Sequence, residues 1–315
     1  MNSAICTLYE GHYHHGLAAL SNSLYNNGFR GSIYVGYRGD LPPWAKEAKD
    51  NPILNWKGGK TINMAEGLDL NFMPLTTKYH LTNYKPDFMT KLWEGPATST
   101  KNMFYFDPDI VIKCDFLFYE RWIQQGVGVV HEITSNDMSE NNPVRGLWKT
   151  IIEENDEKVN NQITSYINAG FFGLNKENIH FLKMFLKFQH LAEDRYNVNL
   201  HTFDMTNRTD PFFANDQDVM NIAAMCTTAP LSEMGPEAMD FIYGGFTMSH
   251  ATGGPKPWKK NFIRSALKGE PPTLAEKAFW NNVGFPIATF SSNTKKYINL
   301  SIKIASFFGR FYRKY

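Results

Sequence analysis

A chain of 315 residues has room for one large domain or two ordinary ones, and 43% apolar against 20% charged residues is the balance of a folded protein with a sizeable core. A net charge of +1 gives no global sign of nucleic acid, so none is expected as a partner, and no run reaches the ~18 apolar residues of a membrane span. Cys6, Cys114 and Cys226 are odd in number and far apart, which excludes a disulfide framework or a zinc site and leaves buried free thiols in a reducing compartment.

The opening MNSAICTLYEG lacks the basic region and long apolar run of a signal peptide, so a cytoplasmic protein is expected. AICTLY (4–9) reads as a strand and EGHYHHG as the loop after it. LAALSNSLYNNG (17–28) repeats apolar residues at helical spacing and stops at Asn27-Gly28, a C-cap signal. GSIYVGY (31–37) is a second strand. Strand, loop, helix, strand is the opening of an open α/β sheet, where ligands sit beyond the C-terminal ends of the strands. The residues after Tyr9 are thereby placed at a binding site.

Residues 40–60 read as loop, LDLNFMPL (68–75) as a strand and KPDFMTKLWEG (85–95) as a short helix. MFYFD (103–107) has no polar gap, which predicts a central strand. DFLFYERWIQQG (115–126) predicts an amphipathic helix, VGVVHEI (127–133) a strand, and the polar TSNDMSENNPVRG (134–146) a long loop of the kind that forms lids or contacts acceptors. YINAGFFGLN (166–175) is strand-like, 178–197 an amphipathic helix whose Met and Phe stripe at 181–188 is core packing, and DQDVMNIAAMC (216–226) a helix with an acidic start that suits its dipole. Without repeats or a clear linker, the chain reads as one α/β domain over 1–262 with a helical appendage over 263–315.

Asp107 and Asp109 stand two apart where the central strand ends, so both carboxylates can converge on one point. Like charges that close need a proton, an arginine or a divalent cation between them, and oxygen ligands suit Mg²⁺ or Mn²⁺. Asp-Pro-Asp is equally turn-like, so a solvated Asx turn stays open on this stretch alone. MSHATGGPKPWKK (248–260) adds His250, a ligand that tolerates Mn²⁺, then Gly253 and Gly254, which let backbone approach an anion, and Lys256, a point charge suited to a diphosphate. His12, His14 and His15 read as solvated loop side chains rather than a metal cluster. Asp115 and Glu120 read as surface charges, and Glu132 and Asp137 as acids that can face an acceptor.

HATGGPKPW resembles the HxxGxxKPW motif of glycosyltransferase family 8, the family of glycogenin and of bacterial lipopolysaccharide α-galactosyltransferases. Asp107-Pro108-Asp109 resembles its DxD, although the central position is often alanine there. KLW from Lys91 resembles its upstream Lys-Leu, NAGFFGLN (168–175) its Asn-(Ala/Ser)-Gly strand, and NDQDVMN (215–221) its Asp-Gln-Asp-x-x-Asn segment. The resemblance covers residues 4 to 260. It implies a GT-A fold, a Rossmann-like α/β domain with a mixed central sheet. It also implies transfer of a hexose, galactose or glucose, from a UDP-sugar with Mn²⁺ (or Mg²⁺) and retention at the anomeric carbon. By the same resemblance Asp107, Asp109 and His250 hold the metal, and Gly253 and Lys256 contact the diphosphate. Lys91 and Asp107 lie by the ribose and donor sugar. Tyr13 stacks on uracil, with Thr7 and Tyr9 bordering the base. Asn168, Asp216 and Gln217 lie beside the donor sugar, where front-face return and a covalent intermediate on Asp216 both stay open. Bacterial relatives often end the first strand on an acidic pair, whereas this chain has only Glu10 followed by Gly11.

The tail 295–315 carries Lys295, Lys296, Lys303, Arg310, Arg313 and Lys314 and no acid, interleaved with Phe307, Phe308 and Phe311. Such a segment suits an anionic membrane surface, and a C-terminal helix docked on the domain is the alternative. A lipid-linked or lipopolysaccharide acceptor on the inner face of the cytoplasmic membrane would fit. Rival readings are a sugar-nucleotide hydrolase or nucleotidyltransferase, and a non-catalytic glycan-binding protein. The loop YEGHYHHG lacks the basic residues a nucleotidyltransferase needs, and a binding module needs no diphosphate clamp.

Overall fold

A computed structural model describes residues 2–133, 138–203, 205 and 207–312. Its strands are β1 (Ser3–Glu10), β2 (Gly31–Arg38), β3 (Lys49–Asp50), β4 (Lys60–Ala65), β5 (Leu68–Pro74), β6 (Asn102–Phe106), β7 (Ile110–Ile112), β8 (Val127–His131), β9 (Ile167–Asn175), β10 (Leu231–Met234) and β11 (Met248–His250). Its helices are α1 (His14–Asn26), α2 (Lys85–Glu94), α3 (Phe116–Trp122), α4 (Pro143–Glu154), α5 (Ile179–Tyr196), α6 (Asn215–Cys226), α7 (Phe262–Leu267), α8 (Leu274–Asn281) and α9 (Ser292–Phe308).

Nine strands form one sheet in the order β10-β8-β9-β6-β1-β2-β5-β4-β3. The pairs β6–β1, β1–β2, β2–β5 and β10–β8 are parallel, and β9 runs antiparallel between β6 and β8. The sheet is therefore mixed, and β6 is interior, as its unbroken apolar run requires. Residues alternate across it. Ala4, Cys6, Leu8, Met103 and Tyr105 face the layer of α2, α5 and α6, while Ile5, Tyr9, Phe104 and Phe106 face that of α1 and α3. The stripe of α5 is core: Phe181, Met184, Phe185 and Phe188 are buried.

The segment 40–60 departs from a plain loop, because Lys49–Asp50 pairs with β4 and extends the sheet edge. The described part of the segment 134–146 is not all loop. Pro143 starts α4, where its missing N–H costs nothing, and Asn142 caps the helix by accepting from Val144 N–H at 2.9 Å. Asp137 lies outside the described residues. Asp115 is exposed but caps α3 through Leu117 N–H, and Glu120 accepts from the Ser3 hydroxyl. Cys6 and Cys226 are buried free thiols, and Cys114 is half-buried.

After β11 the chain packs α7, α8 and α9 onto α1 and β7, burying Phe262, Ala266, Phe279, Trp280, Ile302 and Ala305 with Ala19 and Val111. Only one side of α9 is covered. Tyr297, Leu300, Ile304, Phe307 and Phe308 remain exposed, with Lys296 and Lys303 beside them. No helix of the described residues is long and apolar enough to cross a membrane.

Candidate active site

β6 ends at Phe106, and Asp107-Pro108-Asp109 carries the chain into β7. β7 leaves the main sheet and pairs antiparallel with β11, with His250 opposite Ile110. That register sets His250 beside Asp109, and Ala251 N–H closes the ladder onto Asp109 O at 3.1 Å. On the other side, Asp107 N–H donates to Gly170 O of β9 at 2.7 Å. Three separated segments are thus clamped at the C-terminal ends of β6 and β1.

The outer oxygens of the two carboxylates are occupied. Asp107 Oδ1 accepts from the Tyr105 hydroxyl at 2.8 Å and stands 3.3 Å from Lys85 Nζ. Asp109 Oδ2 accepts from Lys256 Nζ at 2.6 Å. The inner oxygens face the imidazole: His250 Nε2 is 3.4 Å from Asp109 Oδ1 and 3.8 Å from Asp107 Oδ2. Ligand atoms of Asp107, Asp109 and His250 all lie within 4.8 Å of one another. Two hard oxygens and one nitrogen, oriented from behind by fixed cations and a hydroxyl, are a donor set that fits a divalent cation with open positions left for other ligands. His250 and Lys256 hold the Asp109 carboxyl well below the usual carboxylate range despite its burial. Burial against Asp109 and Asp216 pushes Asp107 upward, opposed by Lys85 and His250.

Small residues make room for this arrangement. A Cβ on Gly170 would stand 2.4 Å from His250 Cε1, and one on Gly16 would stand 2.3 Å from the Pro108 carbonyl oxygen. Both positions therefore require glycine by contact.

A cleft of about 530 Å³ opens above the Asp-Asp-His group, and Tyr9, Tyr13, Asp107, Asp109, His250 and Lys256 all line it. Gly253, at φ +71°, Asp216 and Gln217 line it too. Tyr13 presents its ring to Lys256 Nζ at 5.7 Å and its edge to Trp258. Thr7 and Asn168 are buried and do not line the cleft. Asn168 acts through neighbours: its Oδ1 accepts from Gly170 N–H at 2.8 Å and its Nδ2 donates to Glu132 Oε2 at 2.6 Å. Glu132 itself lines the cleft.

Lys91 is not at the site. It is exposed on α2, and its Nζ donates to the Tyr84 hydroxyl at 2.6 Å. The lysine beside the acidic pair is Lys85, 1% exposed, which donates to Asp216 Oδ2 at 2.7 Å and Ala169 O at 2.9 Å. Helical spacing carries the signal for it. Lys85 lies three, four and seven residues before the buried Phe88, Met89 and Leu92, on the inner face, whereas Lys91 does not. Part of the answer to how two carboxylates end a buried strand is therefore this ammonium, whose own pKa they raise against its burial.

His12, His14 and His15 are half-buried rather than solvated. His12 lies in the short turn 11–13 and accepts from Trp258 Nε1 at 2.9 Å, while His14 and His15 begin α1 and His15 stacks on Phe290 with ring centroids 4.8 Å apart.

No protein-family model and no curated protein sequence matches the chain. Among solved structures it is similar to WbbM, a bifunctional glycosyltransferase in its apo form. The identity is 14% and the TM-score 0.55, over 90% of this chain and 50% of that one. The glycosyltransferase GlyE of Streptococcus pneumoniae TIGR4 is also similar, at 13% identity and TM-score 0.49, over 95% of this chain and 64% of that one. The chain thus spans about half the length of the first of these proteins. The likeness to WbbM shows the fold: mixed α/β, GT-A-like, around a large central sheet.

Proposed function

We propose that the protein is a metal-dependent glycosyltransferase of the family-8 type. In this reading it moves a hexose, galactose or glucose, from a UDP-sugar to a saccharide acceptor with retention at the anomeric carbon. The observation that carries the reading is the convergence of Asp107, Asp109 and His250 with Lys256 on one cleft at the C-terminal ends of β1 and β6. A GT-A-like fold and the HxxGxxKPW pattern at 250–258 support it.

Asp107, Asp109 and His250 are the residues that would hold Mn²⁺ or Mg²⁺, which would supply Lewis-acid stabilisation of the leaving diphosphate. Lys256 and the backbone at Gly253 bind the diphosphate, and Tyr13 offers its ring to the base. Asp216 and Gln217 flank the sugar, Asp216 fixed by Lys85 and Gln217 by accepting from Ala169 N–H at 3.2 Å. In the front-face form of the reaction the anomeric carbon exchanges its bond to the diphosphate oxygen for one to the acceptor oxygen. The acceptor's proton passes to the departing diphosphate.

The uncovered side of α9, with its bases and aromatic rings, supports a peripheral place on an anionic membrane surface, facing the cytoplasm, where cell-surface polysaccharide or lipopolysaccharide is built. Arg313 and Lys314 of that basic tail lie outside the described residues.

Thermal melting with UDP, UDP-galactose, UDP-glucose and UDP-N-acetylglucosamine, each with Mn²⁺ or EDTA, tests the donor site. The expected result is a rise only with Mn²⁺, lost in Asp109→Ala. No rise with any nucleotide would end the reading.

A further inference from the structure

A second cavity, of about 440 Å³, opens from the first and shares Glu132, Met205, Ala214, Gln217 and Thr252 with it. From that shared wall it runs between α4, at Val144 and Trp148, and Met205, Arg208, Asp210 and Phe213, which precede α6. Its lining is mixed in chemistry. Glu132 and Gln217 stand on the shared wall, and the Tyr166–Asp218 pair, whose hydroxyl and carboxylate are 2.6 Å apart, lines the second cavity alone. Ile133 and Met205, both exposed, and Phe213, half-buried, add apolar surface. Such walls suit the C–H face of a pyranose ring.

The charges are unbalanced. Among the described lining residues Glu132, Asp210 and Asp218 are carboxyl groups and Arg208 is the one cation, lying over the Phe213 ring at 5.6 Å. Burial pushes Asp218 up to about 7, so near neutrality part of its negative charge remains. A phosphorylated or carboxylated sugar entering this groove meets like charge.

Glu132 is the fixed point. Its Oε2 accepts from Asn168 Nδ2 at 2.6 Å and its Oε1 from Ile133 N–H at 2.8 Å. Each oxygen keeps a lone pair for another donor. The carboxylate is thus immobilised on the wall between the cavities, where a hydroxyl entering from the second cavity approaches a group held in the first.

We propose that the second cavity is the acceptor subsite, shaped for a neutral saccharide, and that Glu132 binds its reacting hydroxyl by accepting a hydrogen bond from it. This rests on the glycosyltransferase reading above. The pair of cavities then has a division of labour. The first holds an anionic nucleotide against Lys256 and a cation, and the second admits an uncharged sugar past carboxylates.

The test uses the full chain loaded with Mn²⁺ and UDP, the melting rise serving in each sample as the control for folding and donor binding. Binding of methyl β-galactoside, methyl β-glucoside and lactose is compared with that of galactose 6-phosphate and methyl glucuronide by saturation-transfer NMR and titration. The neutral probes are expected to bind at least about tenfold more tightly than the anionic ones. Phe213→Ala is expected to weaken the neutral probes about tenfold, and Asp210→Asn, which keeps an oxygen for the Phe212 N–H, to narrow the neutral-to-anionic ratio. Glu132→Gln is expected to weaken them as well. A UDP response with no binding of any neutral probe, with equal binding of the anionic ones, or with no effect of these variants overturns the acceptor assignment alone. Absence of the UDP response in the wild type overturns the donor reading and this inference with it.

Discussion

The imidazole of His250 faces the carboxylate of Asp109 at 3.4 Å because Ile110 and His250 are register partners in a ladder of three residue pairs. The geometry of the Asp-Asp-His group is therefore a property of strand pairing, and it is only as good as that register. His250→Ala should weaken Mn²⁺ at least about tenfold, read from the paramagnetic signal of free Mn²⁺ during titration. An unchanged affinity would remove His250 from the ligand set.

Lys85 is predicted to matter more for stability than any other lysine near the site. Lys85→Met leaves the Asp107 and Asp216 carboxylates without their ammonium, and breaking such a buried pair costs about 3–5 kcal/mol. Lys91→Met removes an exposed contact and should stay within about 0.5 kcal/mol of wild type. Urea unfolding of both variants checks this, and equal midpoints would contradict the placement of Lys85.

Gly170→Ala should act on the metal without touching a ligand. Its methyl group would meet the His250 ring and Asn168 Oδ1 at less than 3 Å, so the imidazole must turn away. Overpacking of this kind costs about 1–3 kcal/mol, and Mn²⁺ affinity should fall with it. Wild-type affinity with lowered stability would show that the ring has room to yield.

Low pH should loosen the packing of α1 against the C-terminal helices. Burial lowers the pKa of His14 and of His15, the latter to about 4, and burial with Lys259 and Lys256 lowers that of His12. The unfolded chain takes up these protons near 6.5, and the folded chain resists them. Stability from these groups is thus complete above about pH 6.5 and declines as pH falls toward about 4. His15→Phe, which keeps the stack on Phe290, should flatten part of that slope in melting curves taken between these limits.

The exposed side of α9 predicts binding to vesicles containing an anionic lipid, weakened by salt. Replacing Lys295, Lys296 and Lys303 with Glu should abolish flotation with such vesicles and leave the melting temperature nearly unchanged. Binding equal to neutral vesicles would point to apolar contact alone.

Much of the sheet is legible in the sequence because its strands are long, apolar runs between turn residues. β1, β2, β5, β6, β8 and β9 fall within a few residues of their expected bounds. β7, β10 and β11 are short, carry no periodicity of their own, and exist through pairing with distant partners, while β4 is a half-exposed strand held by its neighbour β5. Asp107, Asp109, His250 and Lys256 announce themselves by residue type and spacing. Lys85 is signalled by its helical spacing alone, since its residue type in an amphipathic helix ordinarily marks the solvent face. Thr7 and Asn168 show the reverse case, polar residues in suggestive positions whose side chains turn into the core. Glu132 reads in the sequence as an acid that can face an acceptor, and what the sequence does not show is that Asn168 holds it.

The β7–β11 ladder also bears on how the chain reaches its final form. Asp109 and His250 are separated by the main-sheet strands β8, β9 and β10 and by four helices, α3 to α6. Closing so long a segment carries a loop-entropy cost that nearby contacts cannot offset until the intervening layers have formed. Cation binding should therefore appear late in refolding, after most of the far-ultraviolet signal has returned. During synthesis, a chain released before residue 250 would hold the acidic pair and its lysine but lack the third ligand. Metal uptake would then mark a chain extended past residue 250 with the β7–β11 ladder closed, and stopped-flow refolding with Mn²⁺ reads that closure directly.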